Sequence, residues 1–102
     1  MRELADVENI WKRAQERREL CRQLKTMIVE RLDLPVDAEW ITDDQPLIGR
    51  GLELDSVDAL ELVVGVEAQF GVAITDERMD VFGSINRLAD FIEEQRAQEG
   101  QE

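Results

Sequence analysis

An all-α fold is predicted by three features of this 102-residue chain. Aromatic residues make up 5% of it and there are two prolines, a composition suited to helices packed through Leu, Val, Ile and Ala rather than to a β-sandwich. Apolar residues recur three or four positions apart over most of the length. That spacing lapses between residues 33 and 54, where both prolines fall. The expected architecture is a four-helix bundle of three main helices and one short helix, with a long structured loop between the first and second. Its length fits one domain.

The first helix rests on Leu4, Val7, Ile10, Trp11, Ala14, Leu20, Cys21, Leu24, Met27, Ile28 and Leu32, which fall on one helical face. It should end near Asp33, since Pro35 cannot continue it. Trp11 and Cys21 lie on the apolar stripe and read as core or staple residues rather than as reactive or ligand-contacting ones. The spacing leaves open whether the part before Arg17 docks or frays.

Residues 33–54, DLPVDAEWITDDQPLIGRGLEL, lack sustained periodicity, and a loop this long inside a compact domain is often functional. Trp40, Ile41, Leu47, Ile48 and Leu52 are its expected anchors. Thr42, Asp43 and Asp44 read as capping residues, with cation binding as the weaker alternative. No EF-hand series is present.

The next stretch, LELDSVDALELVV at residues 52–64, opens a helix with Asp55 or Ser56 as N-cap and Asp58 in the first turn, where the helix dipole favours a carboxylate. Gly71 should stop it after Phe70. Ala59, Leu62, Val63, Val66 and Phe70 form a core stripe, while Val57, Leu60, Glu61, Val64 and Ala68 fall on the opposite side. A small domain has little left to cover that second face, which therefore reads as a partner surface. After it come a short helical turn following Thr75 and a helix capped by Ser84, with Ile85, Leu88, Ala89 and Ile92 inward. The tail from Glu93 is expected to fray.

Charge narrows the function. The net charge is −12, and it is uneven: residues 1–32 carry eight Lys and Arg against six Asp and Glu, a net +2, while residues 33–102 carry four against eighteen, a net −14. Such a field repels nucleic acid and anionic membranes and favours basic protein surfaces. Cys21 is the single cysteine, so a disulfide framework and a cysteine zinc site are excluded, and no metal site is expected. No run approaches the roughly 18 apolar residues of a membrane span. A soluble, unprocessed cytoplasmic protein is expected.

Catalysis finds little support. The chain has no histidine and no Gly-x-Ser-x-Gly elbow around Ser56, so a serine nucleophile lacks its base. Asp55 and Asp58 at an exposed helix start lack the cleft that acid and base roles need. Ser56 makes more sense as the substrate of another protein's active site.

Leu54-Asp55-Ser56-Val57-Asp58, then Glu61-Leu62-Val63, Glu67, Phe70-Gly71-Val72 and Ile74, resembles the acyl carrier proteins. The likeness covers roughly three quarters of the chain, including Ile41-Thr42-Asp43-Asp44, Leu47-Ile48-Gly49 and the final helix through Ile92. The resemblance implies a non-enzymatic carrier. Ser56 would receive 4′-phosphopantetheine from coenzyme A through a magnesium-dependent phosphopantetheinyl transferase, and the arm's thiol would hold acyl groups as thioesters for fatty-acid or polyketide-type biosynthesis. It implies further that Asp55 and Asp58 flank the arm and that Val57, Glu61, Val64 and Glu67 are read by partner enzymes. Leu62, Val66, Phe70, Ile74, Val81, Ile85 and Leu88 would line an acyl pocket. The partners implied are the transferase, an acyl-carrier synthetase or malonyl transferase, and a ketosynthase or other enzymes with basic patches, all meeting a monomeric carrier. Glu53, where the family commonly has glycine, and Ala68-Gln69, within a commonly acidic run, depart from the pattern.

The expected division is an N-terminal helical extension over 1–16, a carrier domain over 17–93 and a frayed acidic tail over 94–102. A peptidyl or aminoacyl carrier, or an acidic interaction module without a prosthetic group, are the alternative readings.

Overall fold

The structure, a computed structural model, describes residues 2–47 and 54–99, with side chains over 7–47 and 54–98. Ile48, Gly49, Leu52 and Glu53 lie outside the described residues. Helix α1 spans Arg2–Leu32, α2 Ser56–Phe70 and α3 Ile85–Glu99. Two 3₁₀ segments, Ala38–Trp40 and Asp76–Gly83, complete the order, and the second is the short helix expected before the last. The fold is the all-helical bundle that the apolar spacing predicts.

Each helix ends for a local reason. At the end of α1, Asp33 takes a left-handed φ of 50°, which lets the Leu34 amide reach back to the Val29 carbonyl at 3.0 Å while the Asp33 amide reaches Glu30. Pro35 follows and cannot rejoin the helix. Gly71 closes α2 with a φ of 70°, where a side chain would be strained, and donates its N–H to Glu67 at 3.0 Å. The Ser84 hydroxyl accepts the Arg87 amide at 3.1 Å and so caps α3.

The core forms where the three helices share their apolar stripes. Leu24 and Ile28 of α1, Leu62 and Val66 of α2, and Ile85, Leu88 and Ile92 of α3 are fully enclosed, with Val81 and Phe82 brought in by the second 3₁₀ segment. Ile41 and Leu47 anchor the loop in that core as expected. Thr42 closes a turn with Gln45, Asp43 pairs with Lys25 of α1 at 2.6 Å, and the Asp43 carbonyl accepts the Asn86 amide at 2.9 Å. Among the described residues no acidic, Cys or His cluster could hold a metal ion.

Three expectations are corrected. Trp11 is not a core residue but 63% exposed, together with Val7 and Ile10, because α1 runs on past the point where α3 lies beside it and, among the described residues, no element faces it there. Trp40 is not an anchor: it is 76% exposed on its 3₁₀ turn, and the neighbouring Ile41 takes the core position instead. Residues 93–99 remain helical, since Glu93 is tied to Arg17 at 2.9 Å and the Arg96 guanidinium lies over the Phe70 ring at 5.7 Å from its centre.

Candidate functional site at the start of the second helix

The start of α2 is built by two carboxylates that serve its backbone. Asp55, the N-cap, accepts the Asp58 amide at 2.9 Å, and Asp58 accepts the Asp55 amide at 3.1 Å. This reciprocal pair satisfies two N–H groups that a helix start leaves orphaned and places acid where the helix dipole is positive. Both carboxylates are therefore engaged. Ser56, between them as the first helical residue, is exposed, and among the described residues its hydroxyl takes part in no hydrogen bond. The serine stands at the amide end of a 15-residue helix, where the helix dipole is positive.

The second face of α2 is open as its spacing implies. Val57 is 71% exposed, Leu60 58% and Val64 55%, while Ala59, Leu62, Val66 and Phe70 are buried on the other side. Glu61 and Glu67 are exposed beside these apolar residues and Asp58 is half-buried. Leu60 belongs to the patch although the resemblance singled out only Val57, Glu61, Val64 and Glu67. Among the described residues no helix is long and apolar enough to cross a membrane.

Glu61 is less accessible as a charge than its exposure implies. Arg31, in the last turn of α1, holds it at 2.7 Å across the interhelical contact. Gly65 makes that reach possible: a Cβ there would stand 2.5 Å from Arg31 Cδ and 2.8 Å from Met27 Sδ. A glycine in mid-helix costs about 1 kcal/mol against alanine, so its presence in a helical run is the one sequence signal of this close approach.

A second staple sits midway along α1. Arg17 meets Asp90 at 2.8 Å, Glu93 at 2.9 Å and the Asn86 carbonyl at 2.9 Å. Burial alone would disfavour the Arg17 charge, but its hydrogen bonds to Glu93 and Asp90 outweigh that and hold its pKa above the ordinary arginine value. Its place one turn before Leu20 and Cys21, on the inner stripe, marks it in the sequence. Cys21 is buried, and desolvation, reinforced by nearby Asp43, raises its thiol pKa.

The seven residues expected to line an acyl pocket, Leu62, Val66, Phe70, Ile74, Val81, Ile85 and Leu88, all lie buried in the one core cluster. The chain matches the family model described as "Phosphopantetheine attachment site" over residues 22–92. It belongs to that family. Among its relatives, the acyl carrier protein of Helicobacter pylori strain G27 is 30% identical over 77 residues, covering 76% of this chain and 95% of that protein. The acyl carrier protein of Thermotoga maritima is 31% identical over 77 residues, covering 76% and 91%, and that of Buchnera aphidicola strain Tuc7 32% over 71 residues, covering 70% and 85%. The family match with these relatives makes the chain a phosphopantetheine-bearing carrier in acyl biosynthesis and not a catalyst. The family match covers the core helices and stops short of the first 21 residues, where Val7, Ile10 and Trp11 stand exposed.

Proposed function

We propose that Ser56 is the residue that carries the phosphopantetheine, and that the open face of α2 is where partner enzymes read the carrier. The observation that supports this best is the capping pair: Asp55 and Asp58 hold the helix start rigid while leaving the Ser56 hydroxyl outside their hydrogen bonds. In the attachment step the Ser56 oxygen forms the new phosphoester bond, the pyrophosphate link of coenzyme A breaks, and the adenosine bisphosphate portion leaves. The transferase, with magnesium, takes up the serine proton. Once attached, the arm supplies a thiol that holds acyl groups as thioesters.

Asp55 and Asp58 act as positioning residues beside the arm, and Val57, Glu61, Val64 and Glu67, with Leu60, offer an apolar patch edged by acid to basic surfaces. Phosphopantetheinyl transferase, an acyl-carrier synthetase or malonyl transferase, and a ketosynthase are the partner classes this fits, in the cytoplasm. The test is incubation with coenzyme A, magnesium and a broad-specificity transferase. One phosphopantetheine should add to the unaltered chain and none to Ser56→Ala. A modified Ser56→Ala protein, or an unmodified parent, would remove Ser56 from this role, and loading by amino acids but not acyl groups would point to a peptidyl carrier.

A further inference from the structure

The carboxylates of α2 are not equally available. Asp55 and Asp58 bond each other's amides, and Glu61 is held by Arg31 at 2.7 Å. Glu67 is exposed, and among the described residues its carboxylate takes part in no hydrogen bond or ion pair. The helix itself contains no Lys or Arg, so the cation on this face is one that α1 lends to it. At about 100° per residue, Glu61 and Glu67 fall on opposite flanks of the open face, with Val57, Leu60 and Val64 between them around the helix. Along the axis they are about 9 Å apart. Arg31 lies over the Glu61 flank, where Gly65 leaves room for it: a Cβ there would stand 2.5 Å from Arg31 Cδ and 2.6 Å from Nε.

We propose that Arg31 is a specificity-determining residue for phosphopantetheine transfer, because by occupying Glu61 it directs a partner enzyme's cation to Glu67. This rests on the reading of the open face of α2 as the surface that partners recognise. A cation brought to Glu61 meets the Arg31 guanidinium already in place and must displace it or bear its repulsion. One brought to Glu67 meets neither. The face thus has an acidic flank and a neutralised flank with an apolar strip between them. It favours enzymes that set a basic residue beside Glu67 and an apolar surface over Val64, and it disfavours those that need both flanks acidic.

The experiment measures initial rates of transfer to Ser56 by a broad-specificity transferase with coenzyme A and magnesium, at low ionic strength and with the carrier as the varied substrate. An exposed ion pair is worth at most about fivefold in such a constant. In the parent, Glu67→Gln should raise KM for the carrier about threefold to fivefold and Glu61→Gln less than about twofold, with kcat unchanged in both. In an Arg31→Ala background the Glu61→Gln effect should grow to about that of Glu67→Gln. Arg31→Lys, which keeps the charge, should hold it small. Arg18→Ala, which removes an exposed cation elsewhere on α1, should also leave it small and so separates the local pair from net charge. Melting curves on each variant keep loss of fold apart from loss of recognition.

Equal effects of Glu61→Gln and Glu67→Gln in the parent, a Glu61 effect that Arg31→Ala leaves unchanged, or one that Arg18→Ala enlarges as much would each overturn the role of Arg31 while leaving the face itself in place. A KM indifferent to both glutamine variants and to Val64→Asp would remove the face as a recognition surface, and the role of Arg31 with it.

Discussion

Asp55 and Asp58 use their carboxylates on each other's backbone amides, which explains why two acids bracket a serine without forming an acid–base pair. Asp55→Ala should cost about 1 kcal/mol by removing the cap, read as a fall in melting temperature of about 4–8 °C, and should slow transfer to Ser56 because the helix start loosens. Ser56→Ala, by contrast, should leave stability within about 0.5 kcal/mol, since the hydroxyl is exposed. Cys21 differs again: burial raises its thiol pKa and shields the sulfur. Alkylation of the native protein at pH 8 should be far slower than in denaturant, and rapid native labelling would show that α1 opens locally around Leu20 to Leu24.

At the scale of elements, the contact of α1 with α2 decides how acidic the proposed recognition face is. Arg31 covers part of the charge of Glu61, and Gly65 gives it room. An exposed pair of this kind contributes only about 0.2–1 kcal/mol, so its effect belongs to encounter rates more than to stability. Glu61→Lys should slow phosphopantetheine transfer at low salt, with rising salt narrowing the gap as charges are screened beyond about 8 Å. Arg31→Ala should do the opposite and speed transfer at low salt by baring Glu61. Val64→Asp should weaken partner binding without salt convergence, because apolar contact is lost. Equal rates for all three in a stopped-flow or discontinuous transfer assay would leave the acidic face a solubilising surface.

The whole molecule is a small bundle whose core is mainly aliphatic with Phe70, Phe82 and Phe91 among it, extended to 50 Å in its longest dimension. Leu62, Val66, Val81, Ile85 and Leu88 come from three successive elements and, with Ile74 of the connecting segment, meet Phe70 in one cluster, so parting them for an attached chain shifts packing without breaking a polar network. Each methylene taken from water into such a core contributes about 0.8 kcal/mol, less the cost of opening the space. Melting temperature should therefore rise as the attached acyl group lengthens from two carbons to about eight. A flat series in calorimetry would mean that the cargo stays in solvent.

Helix periods, the Asp-Ser-Val-Asp cap, the Gly71 stop and the Ser84 cap are local facts of spacing and hydrogen bonding, so the sequence by itself determined three helices, their inner stripes and the exposed serine. The opposed faces of α2 were legible for the same reason: a 100° turn per residue sorts Leu62 and Val66 from Val57 and Val64 whatever the neighbours are. Burial of Trp11 and Trp40 was not legible, because an apolar residue on a regular stripe is enclosed only if another element lies opposite it. Nor were the links from Arg31 to Glu61 and from Arg17 to Asp90 and Glu93, which join residues 30 to 76 positions apart. Those depend on where helices cross, and the crossing is set by packing of the shared core, with Gly65 admitting the Arg31 side chain; tertiary structure alone could decide them.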